Sequence, residues 1–209
     1  MVDERFRPEP ISLIGMSRAT ANAGEKIDRR ALILDAVLTL LSRRGISGVS
    51  MRAVAREANV ALGLVNYYYE DKTSLIAAAL RHVEEQDLAI VEPDPTLPPE
   101  ERVRAALRRV ADPEFLTTEY LSLRLQLWAL AQADDVFAHV NTEAQRRYRA
   151  RLASLIRTAR PALTRAECNK RAADIDILQN GIWLTALLGL DRASIRRSVA
   201  RSEEIALAG

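Results

Sequence analysis

Apolar residues recur at intervals of three and four positions along most of this chain, and this spacing constrains the fold more than any other feature. The first such segment runs from Lys26 to Arg44 and ends at Gly45, where a helix stop is expected. The sequence therefore predicts an all-α protein with nine helices and no strand. The other eight predicted helices span 51–58, 61–69, 72–91, 100–110, 117–133, 134–159, 164–190 and 191–207.

One segment allows a second interpretation. Leucines alternate with other residues between Leu121 and Leu127, a pattern that a strand would also show. The length of the segment and its lack of β-branched residues favour a helix. Because this helix is apolar nearly all round, we expect it to be central and buried.

The composition narrows the class of protein. Thirty basic residues against 28 acidic ones leave a net charge of only +2, so any contact with nucleic acid must come from a local patch. The single cysteine, Cys168, excludes an intrachain disulfide and fits a reducing cytoplasm. Two distant histidines predict no metal site, and no motif predicts a cofactor. No apolar run approaches the ~18–20 residues of a membrane helix, so we expect a cytoplasmic protein with no membrane contact.

The stretch from Gly45 to Lys72 carries the clearest functional signal. Ser50 can cap the second predicted helix, and Asn59 tolerates the left-handed conformation that a tight turn requires. Two short helices joined by such a turn, after a longer helix, are typical of a helix-turn-helix. We therefore predict a DNA-binding domain over residues 25–72.

The second short helix has the residues needed to enter a major groove. Small residues at its start allow close approach, and the amide of Asn66 can pair with an adenine edge. Tyr67, Tyr68 and Lys72 can reach phosphates, whereas we assign Tyr69 to the core. The predicted DNA-binding residues are Ser50, Arg52, Leu62, Gly63, Asn66, Tyr67, Tyr68 and Lys72.

Residues 27–80 resemble the DNA-binding domain of the TetR family of bacterial repressors. The matching positions are Gly45, Ser50 to Arg52, Val54, Ala55, Ala58, Val60, Gly63, Tyr67 to Tyr69, Lys72 and Leu75. Residues 61–81 and 178–188, and more weakly 125–128, are similar to the BetI-like branch, whose best-known members respond to choline.

Three positions depart from the family pattern. Asn59 stands where the family usually has Gly, and Ala61 stands where it usually has a capping Ser or Thr. Asn66 stands where many members have Tyr, which we interpret as a sign of a different operator sequence.

The resemblance implies a repressor that binds a palindromic operator as a homodimer and is released by a small-molecule effector. It assigns residues 73–209 to ligand binding and dimerisation, and we interpret residues 1–24 as a flexible arm. The last two helices support a dimer independently, since we expect one subunit to have difficulty burying all their apolar residues. These residues are Ile175, Leu178, Ile182, Leu184, Leu188, Ile195 and Val199, with small Gly181 and Ala186 among them.

Ligand-binding residues are predicted by analogy with the family. Two tryptophans with Tyr120 or Tyr148 could form an aromatic box for a choline-like cation. The simpler interpretation is that both tryptophans are core residues. The predicted ligand-binding residues are Tyr120, Gln126, Trp128, Tyr148, Gln179, Asn180 and Trp183.

Other classes of function fit the sequence less well. No nucleophile-and-base set or Gly-rich phosphate loop indicates an enzyme, and we interpret Asp174 and Asp176 as part of a solvated helix face. An effector-independent helical DNA-binding factor is the main alternative, and a protein-interaction module is a third. A large enclosed apolar cavity would favour the ligand-responsive regulator.

Overall fold

The computed structural model describes residues 28–189 and 191–208, and within them it contains nine α-helices and no strand, which confirms the predicted fold class. The predicted arm, residues 1–24, lies outside the described residues. Short 3₁₀ turns follow α1 and α4 and precede α6. The helices are α1 Arg29–Arg44, α2 Met51–Glu57, α3 Leu62–Tyr68, α4 Lys72–Leu88, α5 Pro99–Arg109, α6 Thr118–Ala133, α7 Asp135–Ala159, α8 Arg165–Leu187 and α9 Arg192–Leu207.

Polar side chains begin most of these helices. Each accepts a backbone N–H of the first turn, which would otherwise lack a partner, and each such cap contributes about 1 kcal/mol. The predicted capping box of α8 is present, with Thr164 and Glu167 exchanging hydrogen bonds. The capping residues are Asp28, Ser50, Asp71, Thr117, Asp134, Thr164 and Asp191.

The helix-turn-helix unit, formed by α1, α2 and α3, shares its core with the rest of the chain. Val54 of α2 and Val65 of α3 are fully buried against α1. The same cluster continues through α4 into α6 and α7, where it includes Leu123, Leu127 and Phe137. α4 and α6 therefore both pack on α1, the first helix of this unit.

α6 is helical as predicted, and it contacts α1, α7 and α8. Leu121 and Leu123 are buried, but Leu125 is 44% exposed, so the helix is not covered on every side. No helix among the described residues is both long enough and apolar enough to cross a membrane.

The apolar faces of α8 and α9 correct one expectation. Ile175 is buried against α5 and α7, and Ile182 packs on Ile195 and Val199 within one subunit. Packing within the subunit thus covers only part of the set that was expected to require a partner, namely Ile175, Ile182, Ile195 and Val199. Two other residues of that set remain exposed, Leu184 at 40% and Leu188, just past the end of α8, at 77%. Ile177, which was not in the set, is 67% exposed.

Candidate DNA-binding surface and polar cavity

The turn between α2 and α3 has the predicted conformation. Asn59 has φ +53°, in the left-handed region, and the N–H of Val60 donates to the carbonyl of Ala55 at 2.9 Å. This bond closes the end of α2 and sets the direction of α3. Asn replaces the usual Gly here because its short polar side chain tolerates this conformation.

One side of α3 is free while the other is packed. Val65 is fully buried, whereas Gly63, Asn66 and Tyr67 lie exposed on one face, with Tyr67 81% exposed. A Cβ added to Gly63 would meet no atom within 4 Å, so packing within the chain does not require the glycine. We name the exposed set Gly63, Asn66 and Tyr67 the α3 face. Leu62, also predicted to contact DNA, is half-buried and packs against the core.

The next predicted DNA contacts, Ser50 and Arg52, lie at the start of α2. Ser50 Oγ accepts the N–H of Ala53 at 3.1 Å, which fixes the first turn of the helix. Arg52 is exposed, and Arg56, one turn further, is exposed as well. Arg56 was not among the predicted contacts, although its spacing of four from Arg52 places both residues on one side of α2.

The tyrosine cluster and Lys72 complete the surface. Tyr69 is 5% exposed, as predicted for a core residue, and its hydroxyl accepts a hydrogen bond from Arg30 Nε at 3.4 Å. Tyr68 is 42% exposed and its ring lies 5.3 Å from that of Tyr67. Lys72 Nζ donates to the carbonyl of Ile46 at 2.7 Å, which ties the start of α4 to the turn after α1.

A cavity opens between α4, α6, α7 and α8, and we name it the polar cavity. The space available to the centres of water molecules is about 50 Å³. Four of the predicted ligand residues line it: Tyr148, Gln179, Asn180 and Trp183. Sequence reasoning missed other polar lining residues, which are Glu84, Asp87, Arg124, Asn141, Gln145 and Asp176. The cavity is small and charged, so it is not the large enclosed apolar cavity that would favour a ligand-responsive regulator.

The remaining predicted ligand residues lie elsewhere. Tyr120 is buried and does not line the cavity itself. Its hydroxyl donates to Oδ1 of the lining residue Asp87 at 2.7 Å. Gln126 is directed at the DNA-binding unit, with its Oε1 3.3 Å from the position of a Cβ on Gly45. Trp128 does not line the cavity, and the Arg124 guanidinium lies 5.9 Å from its ring centre.

An ion pair closes the α4–α6 side of the polar cavity. Arg124 pairs with Asp87, and the two side chains are only 16% and 11% exposed. The Arg124 guanidinium also lies 4.6 Å from the centre of the Trp183 ring, a cation–π distance. Trp183 Nε1 in turn donates to the carbonyl of Val110 at 3.2 Å, which fixes the ring.

The α7–α8 side carries a second polar network. Tyr148 Oη donates to Gln179 Oε1 at 2.5 Å, and burial raises the pKa of the Tyr148 hydroxyl. Asp176 accepts from Arg149 Nε at 2.6 Å and is 6% exposed. The expectation that Asp176 belongs to a solvated face was therefore wrong, because α7 covers that side of α8.

Glu84 adds a carboxyl to the cavity wall. Burial raises its pKa from 4.5 to about 8, against the opposing effect of the nearby Arg124. No described residue donates a hydrogen bond to this carboxyl. A bound group carrying N–H donors would stabilise its ionised form.

Comparison with known proteins agrees with this geometry. A family model for bacterial regulatory proteins of the tetR family matches residues 33–79, and one for the C-terminal domain of BetI-type transcriptional repressors matches residues 99–206. The HTH-type transcriptional regulator BetI of Burkholderia thailandensis is 30% identical over 167 residues, covering 77% of this chain and 82% of the relative. That of Paraburkholderia phymatum is 28% identical over 170 residues, covering 78% and 83%.

Solved structures show the same fold. A transcriptional regulator from Pseudomonas aeruginosa PAO1 superposes with a TM-score of 0.74 at 26% identity, over 85% of this chain and 88% of that one. A Saccharomonospora viridis regulator in complex with choline gives 0.66 at 19% identity, over 86% and 95%. The two family models and the named relatives identify a DNA-binding transcriptional regulator, not an enzyme. This chain belongs to the TetR family, and its C-terminal domain is of the BetI type.

Proposed function

We propose that this protein is a homodimeric repressor that binds a palindromic operator through α3 and is released by a small effector in the polar cavity. The observation that carries the proposal is the α3 face, which is exposed although the opposite side of the same short helix is packed. Because the proposed operator lies in bacterial DNA, we place the protein in the cytoplasm.

Each side chain of the DNA-binding surface has a separate proposed role. Asn66 reads a base edge in the major groove, and the bare backbone at Gly63 lets α3 approach the duplex. Tyr67, Tyr68 and Lys72 contact phosphates on one side of the groove, while Ser50 and Arg52 contact the other side, where we add Arg56. The half-buried Leu62 packs against the core and so holds α3 in place.

An apolar stripe on α8 supports the dimer. Ile177, Gly181, Leu184 and Leu188 are exposed at spacings of four, three and four, which align them along one side of the helix. A second copy related by a two-fold axis would cover this stripe with its own, and Gly181 would allow the two helices to approach closely. The operator half-sites would then lie about 34–36 Å or a modest multiple apart.

α4 and α6 link the polar cavity to the DNA-binding unit. Glu84 and Asp87 lie near the end of α4 that faces the cavity, and Lys72 lies at the end that faces DNA. On α6, Arg124 lines the cavity while Gln126 contacts the end of α1 beside Gly45. An effector that prefers one arrangement of these helices would shift the dimer to a half-site spacing that does not fit the operator.

Selection of bound duplexes from a random pool tests the proposal. We expect enrichment of one palindromic sequence, and we expect an Asn66→Ala variant to lose preference at one or two of its base pairs. Sedimentation should give a dimer at micromolar concentration for the unmodified chain and a monomer for Leu184→Glu. No enrichment, or selection of a site without two-fold symmetry, would contradict the proposal.

The effector-independent alternative makes a different prediction. If the polar cavity binds nothing that matters for DNA binding, no compound in a broad library will dissociate the protein–operator complex. We expect at least one compound to do so, and its effect should be reduced by Asn180→Leu. Asn169→Leu, outside the polar cavity and exposed on the same helix, serves as the control.

A further inference from the structure

The polar cavity contains two buried hydrogen-bond donors that no described residue satisfies. Gln179 is 2% exposed, and its Oε1 accepts from Tyr148 while its Nε2 has no partner. Arg124 gives an Nη1 hydrogen bond to Asp87, but its buried Nε also has no partner. A buried donor without an acceptor destabilises the fold, so an acceptor atom supplied from outside the chain would be favourable at both positions.

The charges that line the cavity indicate that a ligand would also carry a cationic group. Three carboxyls and one guanidinium lie among its lining residues. Arg124 pairs with Asp87, and Arg149 pairs with Asp176. Glu84 is the lining carboxyl for which no described residue provides a hydrogen bond or an ion pair. A bound cationic group with N–H donors would provide the Glu84 carboxylate with both a hydrogen bond and an ion pair.

The aromatic wall argues against a cation that lacks N–H groups. A quaternary ammonium is held by aromatic faces, because it has no hydrogen to donate to a carboxylate. Here the Trp183 face is covered by the guanidinium of Arg124, 4.6 Å from the ring centre. To use that face, a quaternary ammonium would have to displace Arg124 and leave Asp87 buried without its ion-pair partner, which is strongly unfavourable.

We infer that the polar cavity binds a small compound that carries both a protonated amine with N–H groups and an oxygen acceptor, as amino alcohols and amino acids do. The amine lies at Glu84, and the oxygen accepts from Gln179 Nε2 and Arg124 Nε. This inference rests on the proposed function only for its consequence, the release of DNA. The limited space in the cavity restricts the compound to a short chain.

Calorimetric titration of the unmodified full-length chain tests the inference with two matched sets of probes. One set is ethanolamine, choline and ethylene glycol, and the other is γ-aminobutyrate, its N-trimethyl counterpart and butyrate. In at least one set, we expect the primary amine to bind with a Kd below about 10 mM and about tenfold more tightly than both counterparts. Failure of both primary amines to bind, or binding in both sets of a trimethylated or amine-free counterpart as tightly as the primary amine or more tightly, overturns the inference.

A pair of variants locates the amine. Glu84→Gln keeps the shape of the side chain and removes its charge, and we expect it to weaken binding of the primary amine about tenfold or more. Glu85→Gln, an exposed neighbour on the same helix, should bind as the unmodified chain does. Equal affinities of the two variants would overturn the assignment of Glu84.

DNA binding is measured separately on the same preparations, so the two conclusions can fail independently. A chain that binds the primary amine but no operator would contradict the proposed function and leave this inference standing. A chain that is released from its operator only by compounds without an N–H amine would contradict this inference and leave the proposed function standing.

Discussion

The DNA-binding surface and the polar cavity are built in opposite ways. The proposed DNA contacts all lie between Ser50 and Lys72, and the α3 face projects into solvent with little role in packing. The cavity draws its lining from Glu84 to Trp183, on four helices, and two of its three carboxyl groups, those of Asp87 and Asp176, form ion pairs. One region thus presents side chains to a partner, while the other uses them to hold helices together.

Because of this difference, we expect substitutions in the two regions to affect different quantities, affinity for DNA in one and the free energy of unfolding in the other. Removing an exposed side chain from the α3 face should change affinity for DNA and leave the free energy of unfolding unchanged. Removing a charge from the polar cavity should change stability first, because its partner would remain buried without compensation. The following predictions test whether this division holds, beginning with the largest expected effect.

Asp87→Ala should lower the free energy of unfolding by about 3–5 kcal/mol, because Arg124 would keep its buried charge without its partner. Denaturant unfolding at a fixed protein concentration measures the loss, since dimerisation makes stability depend on concentration. Glu143→Ala breaks the exposed pair with Arg146 and should have little effect, because water screens both charges. Similar losses of unfolding free energy in the two variants would contradict a special role of the cavity charges in stability.

Asn66→Ala should lose about 1–3 kcal/mol of discrimination at one or two base pairs of the operator. Its unfolding transition should match that of the unmodified chain, because Asn66 is exposed. Binding to a set of operator variants, together with denaturant unfolding, measures both quantities. A loss of stability would show that α3 supports the fold as well as contacting DNA.

Lys72→Ala is the matched comparison for Asn66→Ala. We expect it to weaken binding to every sequence and to reduce the slope of affinity against salt by about one charge. It also removes the bond from Nζ to the Ile46 carbonyl, so a small loss of stability should accompany the effect. A loss confined to particular base pairs would contradict a phosphate contact.

Sequence reasoning recovered the DNA-binding unit because its signals are local. The cap at Ser50, the left-handed Asn59 and the buried Tyr69 are each fixed by a few neighbouring residues, and all three have the predicted conformation or burial. Helix bounds were predicted closely for the same reason, since capping residues mark where helices begin.

The residues that line the polar cavity could not be predicted from local sequence signals. Asp176 was interpreted as solvated because its position on α8 does not reveal that α7 covers it. Gln126 and Trp128 share a helix with Arg124, yet only Arg124 points into the cavity. Which side of a helix faces a void depends on packing between distant segments, and periodicity alone does not specify that packing.

Glu84→Gln should make stability less dependent on pH. Burial raises the pKa of Glu84 to about 8, so the folded chain binds a proton more readily than the unfolded chain, and stability falls as pH rises from 4.5 to about 8. Allowing for screening by water at the cavity mouth, we expect the variant to be more stable than the unmodified chain by about 1–2 kcal/mol at about pH 9. Near pH 5 the two should be similar, and thermal unfolding at both values provides the measurement.

Ala61→Ser should add a missing helix cap and give the smallest effect. Ala61 occupies the position before α3 with φ −67° and ψ 139°, the extended conformation of a capping residue, but it has no side-chain acceptor. A serine hydroxyl there could accept the N–H of Gly63 or Leu64 and stabilise the fold by up to about 1 kcal/mol.

The opposite change at the neighbouring helix provides the control. Ser50→Ala removes the hydrogen bond to the N–H of Ala53 at the start of α2 and should destabilise the fold by about 1 kcal/mol. Denaturant midpoints should therefore move in opposite directions for the two variants. If Ala61→Ser fails to stabilise the fold while Ser50→Ala destabilises it, the start of α3 does not form in free solution as it does here, and DNA contact would have to complete it. The α3 face would then depend on its partner for its structure as well as for its function.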